Sequence, residues 1–246
     1  DRIENLAQDG NVVNIKTNNL NLSANNGIAV VTHPLYVEVD ALSASTEKNG
    51  IYIKQKGDLL LDKIHSKDGF EVTVVDGIIT SSENSIITAD KLKLSADQGI
   101  ALNTNVNEVD LYSSNGNITI VEQNGLNKAN AIAENGNVSI GVKSGDLYVD
   151  YIQGQSVHLN ADAGRILSVA GTLNNVKSDS LVLLANNGIG LFNDYLKVDT
   201  SNLTAHTKSG SIFVKQTTDH QLNLVSNDQS GHAITTGGGS INIDSD

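Results

Sequence analysis

Apolar and polar residues alternate in short runs along this chain, and a turn introduces each run. Ile118-Thr119-Ile120 follows Asn115-Gly116-Asn117, and Val138-Ser139-Ile140 follows Asn135-Gly136-Asn137. Period-two alternation after Asn-Gly predicts a half-buried strand leaving a turn, because Asn tolerates and Gly freely adopts positive φ. Looser versions run from Asp9-Gly10-Asn11-Val12 through Asn49-Gly50-Ile51-Tyr52-Ile53, Gly145-Asp146-Leu147-Tyr148-Val149 and Gly210-Ser211-Ile212-Phe213-Val214 to Gly239-Ser240-Ile241-Asn242-Ile243. No stretch of about 11 residues keeps a 3.6-residue apolar period free of Gly, Asn or β-branched interruption, so helix is expected only at caps.

A longer motif, Leu-x-Leu-x-Ala-x-x-Gly-Ile, appears as "LNLSANNGI" from Leu20, "LKLSADQGI" from Leu92 and "LVLLANNGI" from Leu181, with a degraded copy from Val157. Residues 20–55 align without gaps on 181–216 at an offset of 161; Leu35, Val37, Leu42, Ala44, Thr46, Lys54 and Gln55 meet Leu196, Val198, Leu203, Ala205, Thr207, Lys215 and Gln216. The spacings between motifs approximate whole multiples of about 20–24 residues, and the offset divides into seven units of about 23. That length predicts a three-edged parallel β-solenoid of roughly ten to eleven coils, continuous over 1–246, about 50 Å long at about 4.8 Å per coil. The competing architecture is a tandem of antiparallel β-sandwich domains. Against it stand the near-constant spacing, the absence of an expected core aromatic, and the single Pro34, placed in the loop "THPL" where it removes no ladder hydrogen bond.

Composition narrows the picture. With 39% hydrophobic but only 4% aromatic residues and no Trp or Met, the core must come from Val, Ile, Leu and Ala. No cysteine is present to form a disulfide or a thiolate metal site. A net charge of −12, with Arg2 and Arg165 the only arginines, argues against nucleic acid or an anionic membrane as partner. No segment approaches the ~18 apolar residues that read as a membrane span. The first residue is not Met and the pattern is already under way by residue 9, so a segment of a longer chain is expected, with end-to-end self-association the other outcome of solenoid ends lacking caps.

The phrases "SGDLYVDYI", "KGDLLLDKIHSKDG" and "GGGSINI" resemble the repeats of filamentous-haemagglutinin-type adhesins and related giant β-strand-repeat surface proteins of bacteria. The resemblance covers essentially the whole chain and implies a right-handed parallel β-helix, extracellular or cell-surface location, and a fibre or shaft role in adhesion. The Asn-Pro-Asn signature of that family's secretion domain is missing, which would place this segment in the shaft.

Catalytic signatures are missing: there is no nucleophile elbow, phosphate loop, His-Glu-x-x-His pair or calcium-binding nonapeptide. The chain is therefore expected not to be an enzyme and to need no cofactor, with weak calcium binding by its acidic surface left open. The alternative class is a polysaccharide-binding or polysaccharide-degrading β-helix, for which the outward pairs Glu38/Asp40, Glu108/Asp110 and Asp146/Asp150 are the candidate carboxylates. His158 and His206 point outward about two coils, roughly 10 Å, apart, too far to share a metal; His33, His65, His220 and His232 are expected in loops. Tyr52 and Phe213 are equivalent in the 161-residue repeat and are followed by Lys54 and Lys215. An exposed aromatic beside a long cation can stack on a sugar or anchor a protein contact, so these four, with Tyr148 and Tyr151, are the candidate contacts for a cell-surface glycan or protein receptor. Asn25-Asn26 and Asn186-Asn187 are candidates for hydrogen-bonded corner ladders.

Overall fold

The computed structural model describes residues 1–7, 12–226 and 231–245, so the turn expected at Asp9-Gly10-Asn11 lies outside it. Every described strand pairs in parallel with a strand of a neighbouring coil, within one 20-stranded sheet that contains no helix among the described residues. One inward column can be followed upward: Leu59, Ile79, Ile100, Ile118, Val138, Val157, Leu181, Leu203, Leu224. Leu20 and Leu42 continue it downward to Leu61, on the same strand as Leu59. The result is a β-solenoid of about ten coils, and the sandwich alternative is excluded.

The coil is shorter than expected. The column climbs from Leu59 to Leu224 in eight steps, and the two copies of the long repeat, Leu20 and Leu181, likewise stand eight coils apart rather than seven. The motif spacing misled because the Leu92 copy stands in another column: Leu92 pairs with Phe70 and Val109, whereas Leu20 and Leu181 pair with Leu42 and Leu203, so the intervals to Leu92 are not whole numbers of coils. The long steps occur where a loop leaves the corner, from Leu20 to Leu42 and from Val157 through Leu181 to Leu203. Each step of the plain coils between Leu59 and Val157 is shorter than any of these.

Alternation sets the layers. In Val138–Val142 the odd members Val138, Ile140 and Val142 are buried while Ser139 and Gly141 are half-buried. Inward rows from Leu22 to Val214 form one continuous cluster. Each fully buried aliphatic side chain there contributes about 1.5–3 kcal/mol. Phe70, fully buried, is the aromatic that was not expected in the core.

The glycines of "NGN" answer to stacking rather than to backbone handedness. Neither Gly116 nor Gly136 has a left-handed φ, yet a Cβ on Gly116 would stand 1.9 Å from Gln98 O, and one on Gly136 would stand 2.3 Å from Gly116 O. The coil beneath leaves no room for a side chain. The neighbouring asparagines tie the corner upward: Asn117 Oδ1 accepts from Asn137 N–H at 2.9 Å, and Asn137 Oδ1 accepts from Ser156 N–H at 3.1 Å. A ladder of side-chain carbonyl to backbone N–H thus exists at these corners, where none was expected. At the long motif, Asn187 Nδ2 donates to Ala163 O at 2.9 Å and Asn49 Nδ2 to Asn26 O at 3.2 Å, so these amides bond to backbone, whereas at the "NGN" corner Asn135 Nδ2 reaches the Asn115 Oδ1 of the coil below at 3.4 Å.

Twenty strands serve about ten coils, and the longest strands turn a corner. Ile100–Ser113 pairs with Ile118–Glu122 through its first half and with Leu126–Ala133 through its second. Between the two, at Val106, no backbone on the coil above is in register, and a buried side chain fills the gap. Glu122 accepts from Val106 N–H at 3.2 Å. The same device recurs where Gln55 accepts from Val39 N–H at 3.2 Å and donates to Val39 O at 2.8 Å. Gln216 accepts from Thr200 N–H at 3.4 Å and donates to Thr200 O at 3.1 Å. A carboxamide offers both donor and acceptor and so replaces a missing peptide group.

Candidate functional site

The expected contact residues lie on the outer surface but are not gathered in one place. Tyr52 is half-buried against the core in Ile51–Lys56, opposite Glu71. Lys54 lies over the ring of Tyr36, 4.7 Å from its centroid, so its aromatic partner is on the coil below rather than Tyr52. Tyr148 is half-buried opposite Leu167. Tyr151, opposite Asn130, donates its hydroxyl to Gln153 Oε1 at 2.7 Å. Phe213 and Lys215 lie on Ile212–Gln216, with Lys215 Nζ 3.7 Å from Asp244. Following the pairing upward from Tyr52 through Glu71, Lys93, Asp110 and Asn130 leads to Tyr151, five coils away, about 24 Å.

That column edges a groove of about 390 Å³ floored by Phe70, Leu92 and Val109. Its charges pair across coils: Lys93 with Glu71 at 3.1 Å, Lys91 with Glu108 at 3.0 Å, and Lys128 with Asp150 at 2.9 Å. Asn130 Nδ2 donates to Asp110 Oδ1 at 2.8 Å. The hydrogen bond and charge of Asp150 raise the Lys128 pKa. The structure therefore brings Glu108/Asp110 and Asp150 onto one face, through lysines the sequence did not single out. Of the other candidate carboxylates, Glu38 pairs with Lys16 and Asp40 accepts from Asn18. Burial pushes the Asp146 pKa up, but the Arg165 side chain and N–H outweigh it and hold that carboxyl below its usual range.

His158 and His206 are two coils apart, as expected, through Val182 and Thr204. His65, expected in a loop, is instead on strand Leu59–Ser66, exposed between buried Ile64 and Ser66, where alternation resumes after the irregularity at Asp62-Lys63.

Three loops leave one corner of the solenoid. Ile28 pairs with Ile51 and Leu35 with Ile53, so the lower coil spends five more residues between those points than the upper one. Ile189 and Leu196 pair with Ile212 and Val214, giving the same surplus eight coils higher. Ser168 and Val176 pair with Val149 and Ile152, again with five extra, one coil below the second loop. These loops carry much of the exposed apolar surface: Val31 is 58% exposed, Leu173 87% and Phe192 69%. Phe213 is flanked edge-to-face by Phe192 at 6.0 Å and Tyr195 at 5.6 Å, and Asn242 Nδ2 donates to the Tyr195 hydroxyl at 2.9 Å.

The stack braces the adjacent pair of loops. Asn175, fully buried, donates to Val149 O at 2.7 Å and accepts from Lys197 N–H at 2.9 Å, while Lys197 Nζ donates to Thr172 O at 2.8 Å. Sequence reasoning missed Phe192, Tyr195 and Leu173 because loop residues carry no periodicity. The usable signal was the alignment itself, in which "LFNDY" stands where the first copy has "VVTHP". No protein-family model, curated protein or solved structure matches the chain.

Proposed function

We propose that this chain is a structural and adhesive β-solenoid, a rigid rod from an extracellular bacterial surface or secreted protein of the filamentous-haemagglutinin kind. In this reading it holds a contact surface away from the cell. The observation that carries the proposal is the division of labour in the coil. The inward rows are taken up by stacking, whereas the extra residues leave at one corner and expose Leu173 and Phe192, with Phe213 of the adjoining strand packed between Phe192 and the half-buried Tyr195 of the same loop. An exposed aromatic such as Phe192, braced by its neighbours, loses little side-chain entropy on contact and suits stacking on sugar rings or seating in a protein receptor. The groove supports the reading less, because its carboxylates are taken up by lysine or asparagine.

The test is binding of the purified chain to cells and glycan arrays, comparing wild type with Phe192→Ala/Phe213→Ala and with Tyr52→Ala. The corner reading expects a loss of about tenfold or more in the double variant and near wild-type binding for Tyr52→Ala. Equal binding by all three, or loss only with Tyr52→Ala, would overturn the corner as the contact surface.

A further inference from the structure

Two of the three gap-filling side chains are glutamine, and the third, Glu122, is a carboxylic acid with no exposed surface. All three reach across the same sequence separation of 16 residues, to Val39, Val106 and Thr200. At the two glutamine corners the spanned residue presents both N–H and C=O to the carboxamide and both are satisfied. In an extended strand the N–H and C=O of one residue point the same way, so the Val106 carbonyl also faces Glu122. A carboxylate can take the Val106 N–H but has nothing to donate to that carbonyl, whereas a carboxylic acid offers a donor and an acceptor, like glutamine.

We propose that Glu122 is held as the neutral acid at pH values where an exposed glutamate has lost its proton, making this corner a pH-sensitive joint that acid tightens and rising pH loosens.

Its surroundings agree with that assignment. Thr104 Oγ1 donates to Oε2 at 2.7 Å and Asn124 N–H to Oε1 at 3.1 Å, but Asn124 Oδ1 is a buried acceptor with no hydrogen-bond partner. The strands stacked on Glu122 bring no free cation to it. Below, Thr104 is its register partner and Glu108 is taken up by Lys91; above, the partner is Val142, and Lys143 turns its ammonium to Asp162 at 3.1 Å. On the following strand Lys128 is held by Asp150. Burial raises the carboxyl pKa against the opposing pull of the Thr104, Asn124, Val106 and Gln123 hydrogen bonds.

The sign follows from proton counts. Between the unfolded value of about 4.3 and the raised folded value, the fold holds a proton that the unfolded chain has released to water. Stability therefore falls as pH rises through that window, the unfolding constant growing by up to about tenfold per pH unit, and levels off above it.

Two measurements on the full chain test this. Carbon-13 NMR of the Glu122 carboxyl in the wild type should show titration above the ordinary glutamate range; titration at or below about 4.3 would overturn the proposal. Amide hydrogen exchange at Val106, compared between wild type and Glu122→Gln at matched pH, should show protection in the variant that exceeds the wild type increasingly from acid to neutral pH. A constant ratio, or a variant that is less protected or fails to fold, would also overturn it.

Discussion

Residues 28–55 and 189–216 are two copies of one corner, eight coils apart, and they agree in backbone while disagreeing in surface. Both send a five-residue excursion outward and both close the next gap with a buried glutamine, Gln55 or Gln216. Both take a left-handed residue at the base of the loop, Ala29 with φ 58° and Gly190 with φ 63°. Outside they diverge: Val31, Pro34, Tyr36 and Tyr52 become Phe192, Tyr195, Lys197 and Phe213. The first loop is tied by Arg2 to Ala29 O at 2.7 Å and by Asn5 to Pro34 O at 2.8 Å; the second is braced by the neighbouring loop through Asn175 and Lys197. The path of the coil constrains what points inward or turns a corner and leaves the exposed side chains free to change.

The largest effect should come from the element the copies share. Gln55→Ala and Gln216→Ala each strand a buried N–H and C=O, and each should cost about 3 kcal/mol in denaturant unfolding. A loss below about 0.5 kcal/mol in either would show that the two gaps are not equivalent.

A smaller effect separates the copies at their left-handed residue. A Cβ on Gly190 would stand 2.2 Å from Phe213 O, so Gly190→Ala should cost about 2 kcal/mol, combining a backbone clash with an unfavourable φ. Ala29 already holds its methyl group there, and Ala29→Gly should change stability by less than about 1 kcal/mol. Similar thermal shifts for the two variants would erase the distinction.

The smallest effects lie on the surface. Lys54→Ala removes the cation from the Tyr36 face and should cost about 0.5 kcal/mol, a contact the second copy lacks because Lys197 replaces Tyr36. Phe192→Ala should leave the melting temperature within about 2 °C while weakening partner binding, since the ring is mostly outside the fold. A large stability loss at Phe192 would make the aromatic trio a structural clasp.

Much of the architecture was legible from local pattern. Ile118-Thr119-Ile120 after Asn-Gly marks a strand and its inward face, and the match of 20–55 on 181–216 marks equivalent places. The coil length was not legible, because the Leu92 motif stacks in a different column from the Leu20 and Leu181 motifs, and nothing local to the motif reveals which column it joins. The charged groove was missed because Glu71, Lys93 and Asp110 are adjacent only through stacking, each a full coil further along the chain than the one before.

By itself the sequence determined the class of fold, the inward and outward faces, and the repeat, since these follow from period-two alternation and turn chemistry within a few residues. Only the tertiary structure decided that the "NGN" glycines serve coil-to-coil approach, that Gln55, Glu122 and Gln216 fill gaps in the hydrogen-bond ladder, and that Phe192, Tyr195 and Phe213 meet on one corner. Each of those depends on which residue the next coil places within a few ångströms, and that register is a property of the stack, not of any single run of chain.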